Sequence, residues 1–391
     1  MSELICFQNG GKVMIYKQFK DIQLSALGMG TMRFPLLNDG SGKIDEVRTA
    51  EMFDYAMKNG INYYDTAWGY HEEQSEVVTG KILNKYPRES YYLATKFPGY
   101  DKKHIGRVAE VFEKQLEKTG MEYFDFYLFH CVDDKNIDDY LNPEYGIMEY
   151  LLEQKKNGRI KYLGFSTHGS LETMTRFLEA YGNEMEFCQI QLNYIDWFFQ
   201  QAKEKIDLLK QYNLPIWVME PVRGGKLANI DANYEARLKE MRSEENTPAW
   251  AFRFLQSIPE VIMILSGMSN MEQVEDNVRT FSTEAPLNEK EWDTILDIAR
   301  GMCERLSQSL PCTNCRYCVT KCPMELSIPE LLPIYNEDIF TGGTISLEDK
   351  LSKFPADKRP NACISCRSCE AVCPQNIKIS EAMQSMAAKM K

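Results

Sequence analysis

The chain has 391 residues, enough for one large α/β domain and a small second one. Its 45 Lys and Arg stand against 57 Asp and Glu, a net charge of -12 that argues against nucleic acid as a partner. No basic-then-apolar leader and no apolar run of membrane-spanning length is present, so the expectation is a cytoplasmic protein without a membrane partner, its oligomeric state left open.

From residue 27 onward, short β-rich runs alternate with helical patterns, as in a parallel sheet covered by helices. The predicted strands are Leu27–Thr31, Tyr63–Thr66, Tyr91–Lys96, Phe124–Phe129, Tyr162–Ser166, Phe187–Leu192, Ile216–Met219 and Val261–Leu265. Between them, Ile105, Val108, Phe112 and Leu116 recur at helical spacing, and Ile147, Tyr150 and Leu151 do the same. Thr119-Gly120 and Asn157-Gly158 supply the glycine-containing stops. Eight strand–helix units make a (β/α)8 TIM barrel over residues 1–300. A doubly wound sheet is the competitor, but its glycine-rich turn would need a third glycine where Arg33 follows Gly28 and Gly30.

Polar residues gather at the C-terminal ends of consecutive strands, which is where barrel active sites are assembled. Asp65 ends the second strand with Tyr70 five residues on, Lys96 ends the third and His130 the fourth. A buried lysine beside an aspartate can lower a nearby phenol from its usual pKa of about 10 and make it a proton donor and acceptor. An imidazole nearby can orient a carbonyl oxygen. Taken singly, Asp65 reads equally as a helix cap, Lys96 as a snorkelling strand end, His130 as a satisfied rim histidine and Tyr70 as one of 21 tyrosines. The loops after strands seven and eight suit phosphate. They carry Arg223, Gly224, Gly225, Lys226 and Leu227, then Ser266, Gly267, Met268, Ser269 and Asn270, with Gln273 and Asn277 on the next helix. Simple barrel-closing turns are the alternative. Trp68, Cys131, Trp197, Met32 and Phe34 are candidate pocket walls, and point to an apolar or aromatic substrate.

A helix over Glu289–Leu306 leads into a C-terminal module, residues 301–391. Two C-x2-C-x2-C-x3-C-P runs stand there, at Cys312, Cys315, Cys318 and Cys322 and, offset by 51, at Cys363, Cys366, Cys369 and Cys373. Each is followed by a matching tail, Leu326, Ile328, Glu330 and Leu331 against Ile377, Ile379, Glu381 and Ala382, which predicts an extended piece entering a helix. Residues 341–361 between the halves read as an exposed loop with one short helix. Residues 300–391 hold 12 Lys and Arg against 10 Asp and Glu, so the acidity lies in the barrel, an asymmetry that a redox partner protein would meet. Spacing this tight suits thiolate ligation better than disulfides. Zinc also takes four thiolates, but its sites favour two separated C-x2-C pairs.

The module resembles the bacterial two-cluster ferredoxins, with a longer link between halves. That likeness implies two 4Fe-4S clusters with crossed ligands: Cys312, Cys315, Cys318 and Cys373 for one, Cys363, Cys366, Cys369 and Cys322 for the other. The segment from Asn62 to Tyr70, the Lys96 strand, Leu128-Phe129-His130 and the opening run Leu27 to Arg33, with Gly30 and Thr31, resemble the aldo-keto reductases over about residues 14–300. The whole chain is similar to the ferredoxin-tailed members of that superfamily.

The resemblance implies metal-free hydride transfer between NADPH or NADH and a small-molecule carbonyl. Tyr70 is then the general acid, Lys96 and Asp65 its tuning partners, and His130 the orienting residue. It also implies carboxamide contacts from Ser166, Thr167 and Gln191, with Thr167 where the family has asparagine. Met219 takes the place of an aromatic that stacks on the nicotinamide. No basic residue lies in Ser266–Asn277 to choose between NADPH and NADH. Three functions follow: a nicotinamide-dependent carbonyl reductase, a redox enzyme whose flavin exchanges electrons with the clusters, and a non-catalytic electron-carrier or interaction subunit.

Overall fold

The computed structural model describes residues 14–306, 310–340 and 347–390. An antiparallel hairpin, β1 (Tyr16–Phe19) and β2 (Ile22–Ser25), comes first. Eight parallel strands follow: β3 (Leu27–Gly30), β4 (Tyr63–Asp65), β5 (Tyr92–Phe97), β6 (Phe124–Val132), β7 (Ile160–Thr167), β8 (Cys188–Gln191), β9 (Ile216–Met219) and β10 (Val261–Gly267). Pairing of β10 with both β9 and β3 closes them into a barrel. These are the eight predicted strands in their predicted order, no end displaced by more than three residues. All nine residues of β6 are buried, as a strand covered on both faces requires.

The two helices predicted from periodicity form as Val108–Thr119 and Ile147–Lys156. Val108, Phe112 and Leu116 face the core, and the first helix ends at Gly120 with φ +65°, whose N–H returns to the carbonyls of Leu116 and Glu117. The hairpin is absent from the predicted elements. It seals the N-terminal end of the barrel: Phe19 stands edge-on to Trp217 with centroids 5.0 Å apart and lies 5.7 Å from Phe126, among Tyr63, Phe187 and Met263. The opposite end is left to function.

The helix Glu289–Leu306 forms as predicted and packs Ile295, Ile298 and Ala299 into the barrel's outer core. In the C-terminal module, the helices Ile328–Phe340 and Ile379–Lys389 follow the two cysteine runs. Leu326, Ile328, Leu331, Ile377, Ile379 and Met383 form their shared core. The helix Leu347–Leu351 occupies the connecting segment, where residues 341–346 of the predicted loop lie outside the described residues. Duplication is visible in the backbone: Asn314, Arg316 and Glu325 take positive φ, and so do their counterparts Ser365, Arg367 and Asn376. Among the described residues, no helix is long and apolar enough to cross a membrane.

Candidate active site

Asp65, Lys96 and His130 stand on β4, β5 and β6 at the C-terminal rim, and Tyr70 on the loop after β4. Lys96 Nζ lies 2.6 Å from Asp65 Oδ1, donates to the Thr66 carbonyl at 2.8 Å, and reaches the Tyr70 hydroxyl at 3.5 Å. The Tyr70 and His130 rings meet edge-on, 6.0 Å between centroids. A buried network holds Lys96 from behind. Gln115 Nε2 donates to the Lys96 carbonyl and to Glu76, which also accepts from Thr95, and Tyr127 donates to Gln115 Oε1. His130 owes its direction to a bulge. Pairing with β7 slips between Phe129 and Val132, Cys131 takes φ +58°, and the Tyr140 hydroxyl donates to the His130 carbonyl at 2.7 Å.

Burial governs the protons here. It pushes the Tyr70 phenol well above its usual value, and the Asp65 charge adds to the rise. In this arrangement the Asp65 charge opposes ionisation of the phenol, where the expectation had it assist. Desolvation of a phenolate at a buried site is the largest influence, and burial also pulls Lys96 down against the attraction of Asp65. His130 is held neutral, first by burial and then by Lys96 and His168. The constellation is a protonated phenol and a neutral imidazole facing one space.

That space is a cavity of about 660 Å³. Tyr70, His130 and Asp65 line it, with Gly30, Met219, Gly225, Ser266, Gly267, Ser269, Gln273 and Asn277 of the residues expected to hold a cofactor. Asn270 caps the helix Met271–Thr280 by accepting from the Gln273 N–H, and Asn277 donates to the Ser266 hydroxyl at 2.9 Å. The other expected cofactor residues are engaged elsewhere. Arg223 is buried and paired with Asp196, while Lys226 and Leu227 line a separate hollow with Tyr234 and Met302. The Thr31 hydroxyl bonds that of Ser75. Ser166 Oγ accepts from the Cys131 N–H, and Thr167 donates to the Val132 carbonyl, both at 2.8 Å. Gln191 Nε2 donates to Asp196 at 2.8 Å. Of the five proposed wall residues, Met32 alone lines the cavity. Trp68 borders a groove with His104, and Trp197 packs on Phe254 and Trp292.

The cysteines gather as crossed sets. Cys322, Cys363, Cys366 and Cys369 line one small cavity with Met324, Leu326, Ile379 and Met383. In the other half, Cys315 and Cys318 both sit within the fields of Cys312 and Cys373. Backbone N–H groups point at the sulfurs in both halves, Tyr317 at Cys315 and Leu326 at Cys322, matched by Ser368 at Cys366 and Ile377 at Cys373. Repeated N–H···S contacts of this kind suit thiolates ligating a cluster. Among the described residues, no three Cys, His, Asp or Glu side chains converge as ligands of a single ion.

The module roofs the barrel, through its cysteine loops. Arg33 donates to the Thr313 carbonyl at 2.9 Å, Lys321 pairs with Asp101 at 2.8 Å, and Lys135 donates to the carbonyls of Glu370 and Cys373. Gly224, at φ +65°, permits this seat, since a Cβ there would lie 2.3 Å from the Thr313 carbonyl oxygen. Cys315, Tyr317 and Pro374 consequently line the same cavity as Tyr70. Tyr317, His168, Gln189 and Arg279 line the cavity unpredicted. Tyr317 adjoins Cys318 of the first run, which was its one sequence signal.

A profile of the aldo/keto reductase family matches residues 26–300, and one of the 4Fe-4S dicluster domain matches residues 311–377. The chain is 25% identical over 331 residues to the NADH-specific methylglyoxal reductase of Escherichia coli, covering 74% of this chain and 97% of that protein. It is 26% identical over 256 residues to the 9,11-endoperoxide prostaglandin H2 reductase of Trypanosoma cruzi, covering 66% of this chain and 82% of the relative. Among solved structures, the holo form of aldo-keto reductase AKR11C1 from Bacillus halodurans superposes with a TM-score of 0.59 at 23% identity, covering 73% of this chain and 96% of that one. An aldo-keto reductase from Klebsiella pneumoniae in complex with NADPH gives 0.58 at 17% identity, over 73% and 96%. Both agree with the closed barrel.

Proposed function

The chain belongs to the aldo/keto reductase family, and from that premise we propose that it reduces a small carbonyl compound, with Tyr70 delivering the proton. It is an oxidoreductase carrying an iron–sulfur module. The observation that carries the proposal is the convergence of Asp65, Lys96, Tyr70 and His130 on one cavity at the barrel rim. A reduced nicotinamide, held along the rim by the Gly30, Gly225 and Gly267 segments, would supply the hydride that the carbonyl carbon accepts. The Tyr70 hydroxyl donates its proton to the carbonyl oxygen as negative charge grows on it. His130, neutral and in its Nε2–H tautomer, donates a hydrogen bond to the same oxygen and fixes its position. Lys96, held by Asp65, sits behind the phenol and stabilises the phenolate left after transfer. Glycines at 30, 225 and 267 and the capped helix start at Met271 fit an extended dinucleotide.

The preferred nucleotide is NADH. Glu272, Glu275 and Asp276 line the β10 end of the cavity, and Arg279 beside them is paired with Asp276, which disfavours a 2′-phosphate. The module holds two 4Fe-4S clusters on the crossed cysteine sets, which add one-electron storage beside the barrel.

Tyr70→Phe tests the acid role. NADH-dependent carbonyl reduction should fall by about 100- to 10,000-fold with nucleotide binding retained. Retained turnover would remove Tyr70 from the chemistry. A second reading, in which a barrel-bound flavin exchanges electrons with the module, draws support from Cys315 and Pro374 on the cavity wall and from the internal bonding of Ser166, Thr167 and Gln191. A yellow chromophore surviving anaerobic cluster destruction would favour it.

A further inference from the structure

We propose that Tyr317, contributed by the cysteine module, determines which carbonyl compounds the barrel accepts. The inference rests on the carbonyl-reducing reading above and concerns the same oxygen site. Two donors define that site, the Tyr70 hydroxyl and His130 Nε2. The Tyr317 hydroxyl lies 3.3 Å from His130 Nε2 and is also a hydrogen-bond partner of the Tyr70 hydroxyl, so its oxygen is placed to accept from both. An oxygen placed between a phenol and an imidazole is what a bound carbonyl presents. Tyr317 therefore occupies the carbonyl position as a tethered ligand.

Its ring is held as firmly as its hydroxyl. Tyr100 packs against it at 5.4 Å, and Tyr100 itself stands edge-on to His130 at 5.1 Å. The loop beneath is fixed by the Arg33 bond to Thr313 and the Lys321–Asp101 pair. Tyr317 also lies between Cys315 and Cys318, so the sulfur positions and the phenol position are set by one short loop. The second cysteine run makes a parallel contact: Gln375 Nε2 donates to Gln191 Oε1 at 2.8 Å. Both halves of the module thus place side chains on barrel contacts. A carbonyl must displace the Tyr317 hydroxyl, and the ring limits what fits behind the oxygen.

Three measurements on the full chain test this. Tyr317→Phe removes the competing hydroxyl and keeps the wall, so KM for methylglyoxal should fall by about two- to tenfold, the weight of one neutral hydrogen bond, with kcat little changed. Tyr317→Ala removes the wall, so kcat/KM for benzaldehyde relative to methylglyoxal should rise by about tenfold or more. Calorimetric titration with p-cresol needs no turnover: Tyr317→Ala should bind this phenol where wild type does not, and adding Tyr70→Phe should weaken that binding. Unchanged KM in Tyr317→Phe, or equal p-cresol binding by wild type and Tyr317→Ala, would overturn the proposal. Should Tyr317→Ala not fold, the Tyr317→Phe kinetics decide alone. A wild type inert toward every carbonyl fails the reductase reading instead, and the p-cresol titration still reports whether Tyr317 fills the oxygen site.

Discussion

Tyr70 is surrounded by groups that leave it reluctant to ionise: a buried cavity wall first, the Asp65 carboxylate second. A general acid must carry its proton, and a raised phenol pKa extends the protonated form above the ordinary value of 10.0. His130 must stay neutral to donate through Nε2 without opposing Lys96, and burial keeps it neutral to below the ordinary 6.5. Titration of Tyr70 and His130 is therefore expected to leave kcat/KM for carbonyl reduction flat between pH 6.5 and 10.0. An alkaline limb inside that window that disappears in Lys96→Met would belong to loss of the Lys96 charge, which burial pulls down; one that persists would belong to Tyr70 and overturn its raised value. The four rim residues were legible because each ends, or closely follows, a strand whose apolar run is plain. Their proton affinities were not, since desolvation depends on what covers the rim. Tyr317 covers it from 187 residues away from His130.

At the scale of elements, the eight barrel strands were readable because each is a short buried run bounded by turns and followed by a helix. The β1–β2 hairpin was missed because two four-residue strands give too little alternation to stand out. It nevertheless carries Phe19, 4% exposed, into the aromatic cluster of Trp217, Phe126, Tyr63 and Phe187. Deleting that ring leaves a hole at the foot of the barrel that rigid strands cannot collapse into. Phe19→Ala should destabilise the barrel by about 3–5 kcal/mol, seen as a lower urea midpoint, while the far rim keeps its geometry. A midpoint within error of wild type would show that the hairpin is only a surface flap. The cysteine runs were legible as a duplication, and the matched positive-φ residues give it a backbone meaning: each loop turns its N–H groups inward on its sulfurs.

At the scale of the whole molecule, the seating of one module on the other was illegible, because the contacts that fix it are isolated side chains meeting across the chain, several of them on backbone carbonyls. Arg33 meets Thr313, and Lys135 meets Glu370 and Cys373. Neither pair carries a local pattern. Seating makes the two proposed clusters unequal, since Cys315 borders the catalytic cavity while Cys366 is exposed at the outer face. A ligand in the cavity changes the surroundings of the inner cluster alone. In the reduced protein, adding NAD+ should shift one of two EPR signals. The proposed crossing of the ligand sets then gives a distinction that sequence order does not. Cys373→Ser, in the second run, should abolish the NAD+-sensitive signal, while Cys322→Ser, in the first run, should leave it and alter the other. An uncrossed arrangement requires the reverse, so the pair of variants reports both how the sulfurs are shared and which cluster faces the chemistry.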